Sequence, residues 1–217
     1  GNRCLDANTT ANNNTGVGHE ALTDNTEGAD NTAVGFKAGE NITTGSNNIC
    51  IGHDSGVSGS PGGNITTASN IIVLGDENIA TFNCQVDVTA ASDARDKTDV
   101  KPMEMGLNFI NKLEPVTYKW DKRSNYVAKG EDFKDLITDG THKEDWLDTG
   151  FLAQDVEKLE SEYGYNIVDK TNLTTTLSED GKHYGLTYNK FTPMLVKAIQ
   201  ELSAKVDELQ QQLNSKE

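Results

Sequence analysis

Bulky side chains are scarce in this chain. Hydrophobic residues make up 35% of its 217 positions, against roughly 45 to 50% (glycine included) in an ordinary globular domain. Such a chain is either largely disordered or buries little core per subunit and shares the rest with partners. Positive charge is short as well, and the net charge is −15. Phosphate backbones repel such a surface, so nucleic acid is not expected as a partner. No run of 18 apolar residues is present, and residues 1–20 lack a charged-then-apolar leader. Neither a membrane span nor a signal peptide is therefore expected, and Gly1 is expected to follow a longer N-terminal part. The three cysteines, Cys4, Cys50 and Cys84, are odd in number and far apart. They form no metal-ligand pattern, and no metal or cofactor is expected.

The scarcity is uneven. The 91 residues before Ser92 hold 2 of the 19 Lys and Arg and 2 of the 14 aromatics, and are rich in Asn, Thr and Gly. From Ser92 onward the composition is that of an ordinary globular domain. The charge divides into −8 before Ser92 and −7 from there on. A chain of this length accommodates one to two domains, and the break at Ser92 favours two, residues 1–91 and 92–217.

The first segment repeats. Asn14-Thr15-Gly16-Val17-Gly18, Asn31-Thr32-Ala33-Val34-Gly35, Asn48-Ile49-Cys50-Ile51-Gly52 and, one residue longer, Asn70-Ile71-Ile72-Val73-Leu74-Gly75 align with each other. Gly18, Gly35 and Gly52 are 17 apart and Gly75 follows after 23, the extra six residues matching the loop-like insertion at 58–63. A short strand closed by Gly and a polar turn, repeated at fixed period, reads as a solenoid. With so few bulky residues, each coil leaves an apolar edge that three chains wound about one axis could cover. Val17, Val34, Ile51 and either Val73 or Leu74 are expected to line that shared interior, with Asn side chains capping the turns. Cys50 stands where Gly16 and Ala33 stand in the neighbouring repeats, which fits a small buried residue better than a reactive thiol. His19 and His53 share one repeat position, with Phe36 between them. They read either as polar residues facing solvent or, in a trimer, as rings suited to a pH switch or a metal. Residues 8–80 resemble the head repeats of trimeric autotransporter adhesins and related stretches of phage tail fibres, most closely at Asn31 to Gly39. This resemblance implies architecture and not ligand.

At the junction stands Ala91-Ser92-Asp93-Ala94-Arg95-Asp96-Lys97. A serine is a weak nucleophile until a base takes its proton, and a lysine can be that base when desolvated. One turn of chain can bring residues 92 and 97 together, and Ala90 and Ala91 leave the preceding carbonyl open. Spacing alone also allows a bland reading, in which Ser92-Asp93 caps a turn and Lys97 is a solvated charge. Asp93 could pair with Arg95 or with Lys97, and the second pairing would oppose a basic role for the lysine.

Ser92 to Lys97 resembles the S-D-x-R-x-K signature that opens the C-terminal intramolecular chaperone domain of phage endosialidases and other tail spikes. The likeness continues through Leu113 to Trp120, Gly150 to Val156, and Tyr188 to Leu202. It implies that the domain trimerises the chain, guides folding of the fibre before it, and then cuts itself off. Ser92 would attack the carbonyl of Ala91, with Lys97 as general base and Asp93 and Arg95 in support, so that the Ala91-Ser92 bond breaks.

Within 92–217, Pro102 with Met103, Leu107 and Ile110 predicts a helix over 102–113. Val116, Tyr118 and Trp120 alternate as a strand, with Trp120 expected in the core. Residues 121–149 read as a long charged loop. Leu152, Val156, Leu159 and Tyr163 mark a second helix, and 174–177 with 183–188 flank Glu179-Asp180-Gly181 as a hairpin. Such projections grip the emerging fibre in the family, and the same is expected of one or both segments here. Thr192-Pro193 is expected to cap and open a last helix over about 193–215. Along it Leu195, Ile199, Leu202, Val206, Leu209 and Leu213 form a heptad seam for trimerisation. Its choice of side chains leans toward two strands, but the symmetry of the shaft favours three.

The expected fold is thus an all-β trimeric solenoid shaft followed by an α+β chaperone domain ending in a coiled-coil helix. The leading expectation is the C-terminal part of a phage tail fibre or spike, a homotrimer in the virion. It would reach a host-cell surface receptor through upstream parts, and its chaperone domain would be released in the host cytoplasm. The alternative is an adhesin stalk with an inert Ser-Lys pair. An enzyme acting on host glycans finds no identifiable carboxylate pair.

Overall fold

Gly, Ala, Cys and Val at the middle of the four repeats leave room for one coil to lie directly on the next. In the computed structural model, which describes residues 1–128 and 131–216, β1 (Thr15–Val17), β2 (Thr32–Val34), β3 (Ile49–Ile51) and β4 (Ile72–Leu74) make a parallel sheet in sequence order. The register places Gly16, Ala33, Cys50 and Val73 in one row and Val17, Val34, Ile51 and Leu74 in another. Side chains alternate across a strand. Ala33, Cys50 and Val73 accordingly point into a core completed by Leu22, Ala38, Ile42 and Ile65, while the second row is exposed. Leu74, not Val73, therefore belongs to the outward row. Burial pushes the Cys50 thiol up to about 11, away from reactive thiolate character.

Polar groups inside the stack are answered by the neighbouring coils. The Asn31 and Asn48 amides donate to the side-chain oxygens of Asn14 and Asn31, at 2.8 and 3.0 Å. Asn14, Asn31 and Asn48 side chains donate in turn to the carbonyls of Gly28, Gly45 and Ala68. The residue before each rung, Asn13, Asp30 and Asn47, has a left-handed φ of 62°, 60° and 56°, which short polar side chains tolerate. At two successive turns, one carbonyl serves three amides. Thr43 O accepts from the amides of Thr26, Glu27 and Gly28, and Thr66 O accepts from those of Thr43, Thr44 and Gly45.

Compact units do not follow the composition break. One gathers Gly1–Thr81, Tyr118–Asp148 and Leu177–Gly185, and the other Phe82–Thr117, Thr149–Thr176 and Leu186–Glu217. In the first, Lys122 joins the carbonyl of Glu77 to the carboxylate of Glu144, both at 2.7 Å. Arg123 lies over the Phe133 ring and donates to the carbonyls of Phe133, Lys134 and Lys182. Residues 129 and 130 of the 121–149 loop lie outside the described residues, as does residue 217.

The second unit packs α1 (Leu107–Ile110), α2 (Ala153–Glu162) and α3 (Phe191–Asn214). Its core is Met105, Phe109, Val156, Leu159, Phe191 and Met194. The buried Glu160 carboxylate accepts from the Thr174 amide and from the hydroxyls of Thr174 and Thr175, at 2.6–2.7 Å. Two short sheets complete the fold: β5 (Val116–Tyr118) with β6 (Asp148–Gly150), and β7 (Thr175–Leu177) with β8 (Tyr184–Leu186).

Three local expectations are corrected. The helix expected over 102–113 is confined to 107–110, because Gly106 before it is non-helical (φ −122°, ψ −132°), as is Pro102. Trp120 is 45% exposed and its indole donates to Asp148, since the strand ends at Tyr118 before the alternation can turn it inward. The last helix starts at Phe191, so Thr192 lies inside its first turn and makes no cap. Pro193 is tolerated there because first-turn amides have no intrahelical acceptor.

The Asn rungs set a stability test. Asn48→Ala leaves the part-buried Ile71 amide and Ala68 carbonyl without their side-chain partner, and is expected to cost about 1 to 3 kcal/mol. Thr44→Ala, on an exposed turn of the same coil, should cost less than about 1 kcal/mol. Equal shifts in the urea midpoint would mean that the rungs do not hold the stack.

Candidate functional site

Residues 78–101 are exposed along their whole length, and the first regular feature after the repeats is a 3-10 turn, Ala94–Asp96. Asp93 caps it by accepting from the Arg95 amide at 2.9 Å, and the Lys97 amide closes it on the carbonyl of Ala94 at 3.3 Å. This single turn folds the lysine back over the serine. Lys97 Nζ donates to Ser92 Oγ at 2.7 Å, within the reach that a nucleophile and its base require.

The sequence left the partner of Asp93 open. In the structure it grips Arg95, whose Nε donates to both carboxylate oxygens and one terminal nitrogen to Oδ2. The side-chain bond to Arg95, aided by the Arg95 amide, holds the Asp93 carboxyl below its usual value, and the carboxylate raises the guanidinium in return. The clamp keeps the acid on the arginine, and Lys97 is free to face Ser92. Ala90 and Ala91, which carry the carbonyl that precedes Ser92, are exposed. One requirement is unmet in a single chain. A lysine acts as a base when taken out of water, and every residue from 92 to 97 is exposed.

The six seam residues fall where a partner is needed. Leu195, Ile199, Leu202, Val206, Leu209 and Leu213 are all exposed, Ile199 to 66%, while Phe191, Met194 and Ala198 on another face of α3 are buried. From Leu202 onward every described residue of the helix is exposed. A bare helical half of that length is marginal in water.

His19, Phe36 and His53 stack in a column with centroids 5.5 and 5.2 Å apart. Glu20 flanks His19, and Asp54 and Asp76 flank His53. Among the described residues no three His, Cys, Asp or Glu side chains converge as metal ligands, and no helix is long and apolar enough to cross a membrane. Glu179 was read from sequence only as part of a turn. It reaches the backbone of Thr66 to Ala68, a pairing 113 residues distant for Thr66 that no local pattern announces.

Residues 92–165 match the family model described as chaperone of endosialidase, and the match begins on Ser92 itself. No curated protein matches the chain.

The clamp titrates with a defined sign. Because the folded Asp93 value is depressed, the order it gives the loop is complete above the free carboxyl's value of about 3.9. That order is lost as pH falls through the lower folded value. The Arg95 amide shift, followed by NMR from about pH 5 to 2, should move with a midpoint below that of a free aspartate; a midpoint at or above it counts against the clamp.

Proposed function

We propose that the segment around residues 92–165, which matches the family model described as chaperone of endosialidase, belongs to an intramolecular chaperone domain that assembles three chains, guides winding of the repeats before it, and then cuts the Ala91-Ser92 bond. The chain is in this reading the C-terminal part of a phage tail fibre or spike. Its repeats are a trimeric solenoid shaft carried in the virion. A host surface receptor is met through upstream parts, and the released domain stays behind in the host cytoplasm. The observation that carries the reading is the 2.7 Å bond between Lys97 Nζ and Ser92 Oγ, at the first residue of the matched family segment.

The chemistry follows from the geometry. Lys97, as the neutral amine, takes the Ser92 hydroxyl proton while Oγ adds to the carbonyl carbon of Ala91. The Ala91-Ser92 C–N bond then breaks and the lysine hands the proton to the departing nitrogen, which leaves Ala91 as an ester on Oγ. Water hydrolyses that ester, giving a carboxylate on Ala91, a free amine on Ser92 and the hydroxyl restored.

Assembly supplies what the single chain lacks. The exposed row Val17, Val34, Ile51 and Leu74 and the seam of α3 are two apolar stripes that copies of the chain cover together. Packing three junctions side by side removes water from Lys97, so cutting waits for the trimer. Release afterwards takes the alignment device away and makes the wound shaft slow to unwind. The exposure of Lys97 favours one rival, an adhesin stalk whose Ser-Lys pair is inert.

Ser92→Ala should give a trimer of uncut chains, one band on a denaturing gel; two bands would eliminate Ser92 as the nucleophile. Lys97→Met should slow cutting on the order of 10²- to 10⁴-fold, and no effect would favour the inert stalk. Leu202→Asp with Leu209→Asp should yield monomers by sedimentation and leave them uncut. Cutting by such monomers would show that assembly does not switch the chemistry.

A further inference from the structure

A ladder whose rungs are answered by the next coil has an unanswered end. Thr26, Glu27 and Gly28 send three amides to the carbonyl of Thr43, and Thr43, Thr44 and Gly45 send three to the carbonyl of Thr66. The same position in the last coil is Thr66, Thr67 and Ala68, and no fifth repeat follows. All three amides are nevertheless taken. The Glu179 carboxylate accepts from Thr66 at 3.0 Å, from Thr67 at 3.1 and 3.3 Å and from Ala68 at 3.1 Å. The Thr67 hydroxyl also bonds to it, one position beyond the equivalents of Thr26 and Thr43, whose hydroxyls bond to the next coil's carbonyl. Beside it Asp180 accepts from the Asn64 amide at 3.1 Å, on the residue whose side chain takes a bond from Asn41 one coil earlier.

We propose that Glu179 is a surrogate coil: its carboxylate occupies the place of the carbonyl oxygen of an absent next repeat, and so seeds winding of the shaft from its C-terminal end. The proposal rests on the chaperone reading above and adds to it the residue that does the seeding. The hairpin tip is fixed for the task. Arg123 holds the Lys182 carbonyl, Lys182 lies over the Phe133 ring, and the Ser178 hydroxyl bonds to Asp180. Burial works to raise the Glu179 carboxyl, but the amides of Thr66, Thr67 and Ala68 with the Thr67 hydroxyl outweigh it and hold it below its usual value. The donors therefore act together on one acceptor.

A parallel stack is costly to start, because the first coil has no neighbour to receive its amides. A rigid acceptor at the right spacing removes that cost for the coil nearest the chaperone, and each coil then serves the one before it. Since Glu179 lies after the proposed cut, departure of the domain uncovers the three amides only once the coils behind them are already in place.

Refolding of the full chain, followed by hydrogen exchange at the repeats, tests this. Glu179→Ala should slow protection of the repeats about tenfold and abolish protection of the Thr66, Thr67 and Ala68 amides. Glu179→Gln should recover most of the rate, because its amide oxygen resembles the backbone carbonyl it replaces. Wild-type rates and unchanged protection in Glu179→Ala would overturn the proposal, as would a Gln variant no better than Ala. These readouts do not depend on cutting at Ala91-Ser92. Failure of the cap with cutting intact and failure of cutting with the cap intact are therefore separate results.

Discussion

Every coil of the repeat segment depends on the coil after it. Three amides at each of two turns converge on one carbonyl of the following repeat, and the side-chain amides of Asn14, Asn31 and Asn48 reach the same way. Buried polar groups must find partners, so a lone coil is not a stable object and a stack is only as good as its last member. This explains why the first unit gathers residues from both sides of the junction. The repeats carry donors on Thr66 to Ala68 with nothing beyond them in the ladder, and the hairpin tip supplies the acceptor.

The same economy shapes the apolar surface. Small residues at the middle of each strand let the coils touch, and a Cβ on Gly35 would run into the Gly52 carbonyl. Strand alternation turns Val17, Val34, Ile51 and Leu74 outward, while Leu22, Ile42 and Ile65 from the turns fill the core. On α3 one face is buried within its own unit while the heptad seam is bare. Both stripes are cheap for a single chain to leave uncovered during synthesis and productive to cover in an assembly.

Placing the Ser-Lys pair on an exposed segment gives the proposed chemistry a natural order. The turn and the Asp93-Arg95 clamp preset the distance between Lys97 and Ser92 within one chain. In the proposed reading, desolvation, which no local turn can provide, would come from assembly, and a pair aligned early but dried late would act only after the repeats have been wound.

Much of this was written along the chain. The 17-residue spacing of Gly18, Gly35 and Gly52, the Asn that opens each repeat, the heptad seam and the Ser92 to Lys97 motif are local patterns. Local patterns survive because strand alternation, helical periodicity and a five-residue turn are set by neighbouring residues. Where long-range packing competes, the sequence misled. Trp120 looked like core and is exposed, and the 102–113 helix shrank to 107–110 once Gly106 and the packing of Met105 and Phe109 prevailed. The sequence alone determined the repeat, the junction and the seam. Only the tertiary structure decided that Asp93 pairs with Arg95, and that Glu179 closes the ladder from a turn 113 residues past Thr66. A carboxylate is chemically the same at any exposed turn, and its acceptor role exists only where the fold delivers three aligned amides to it.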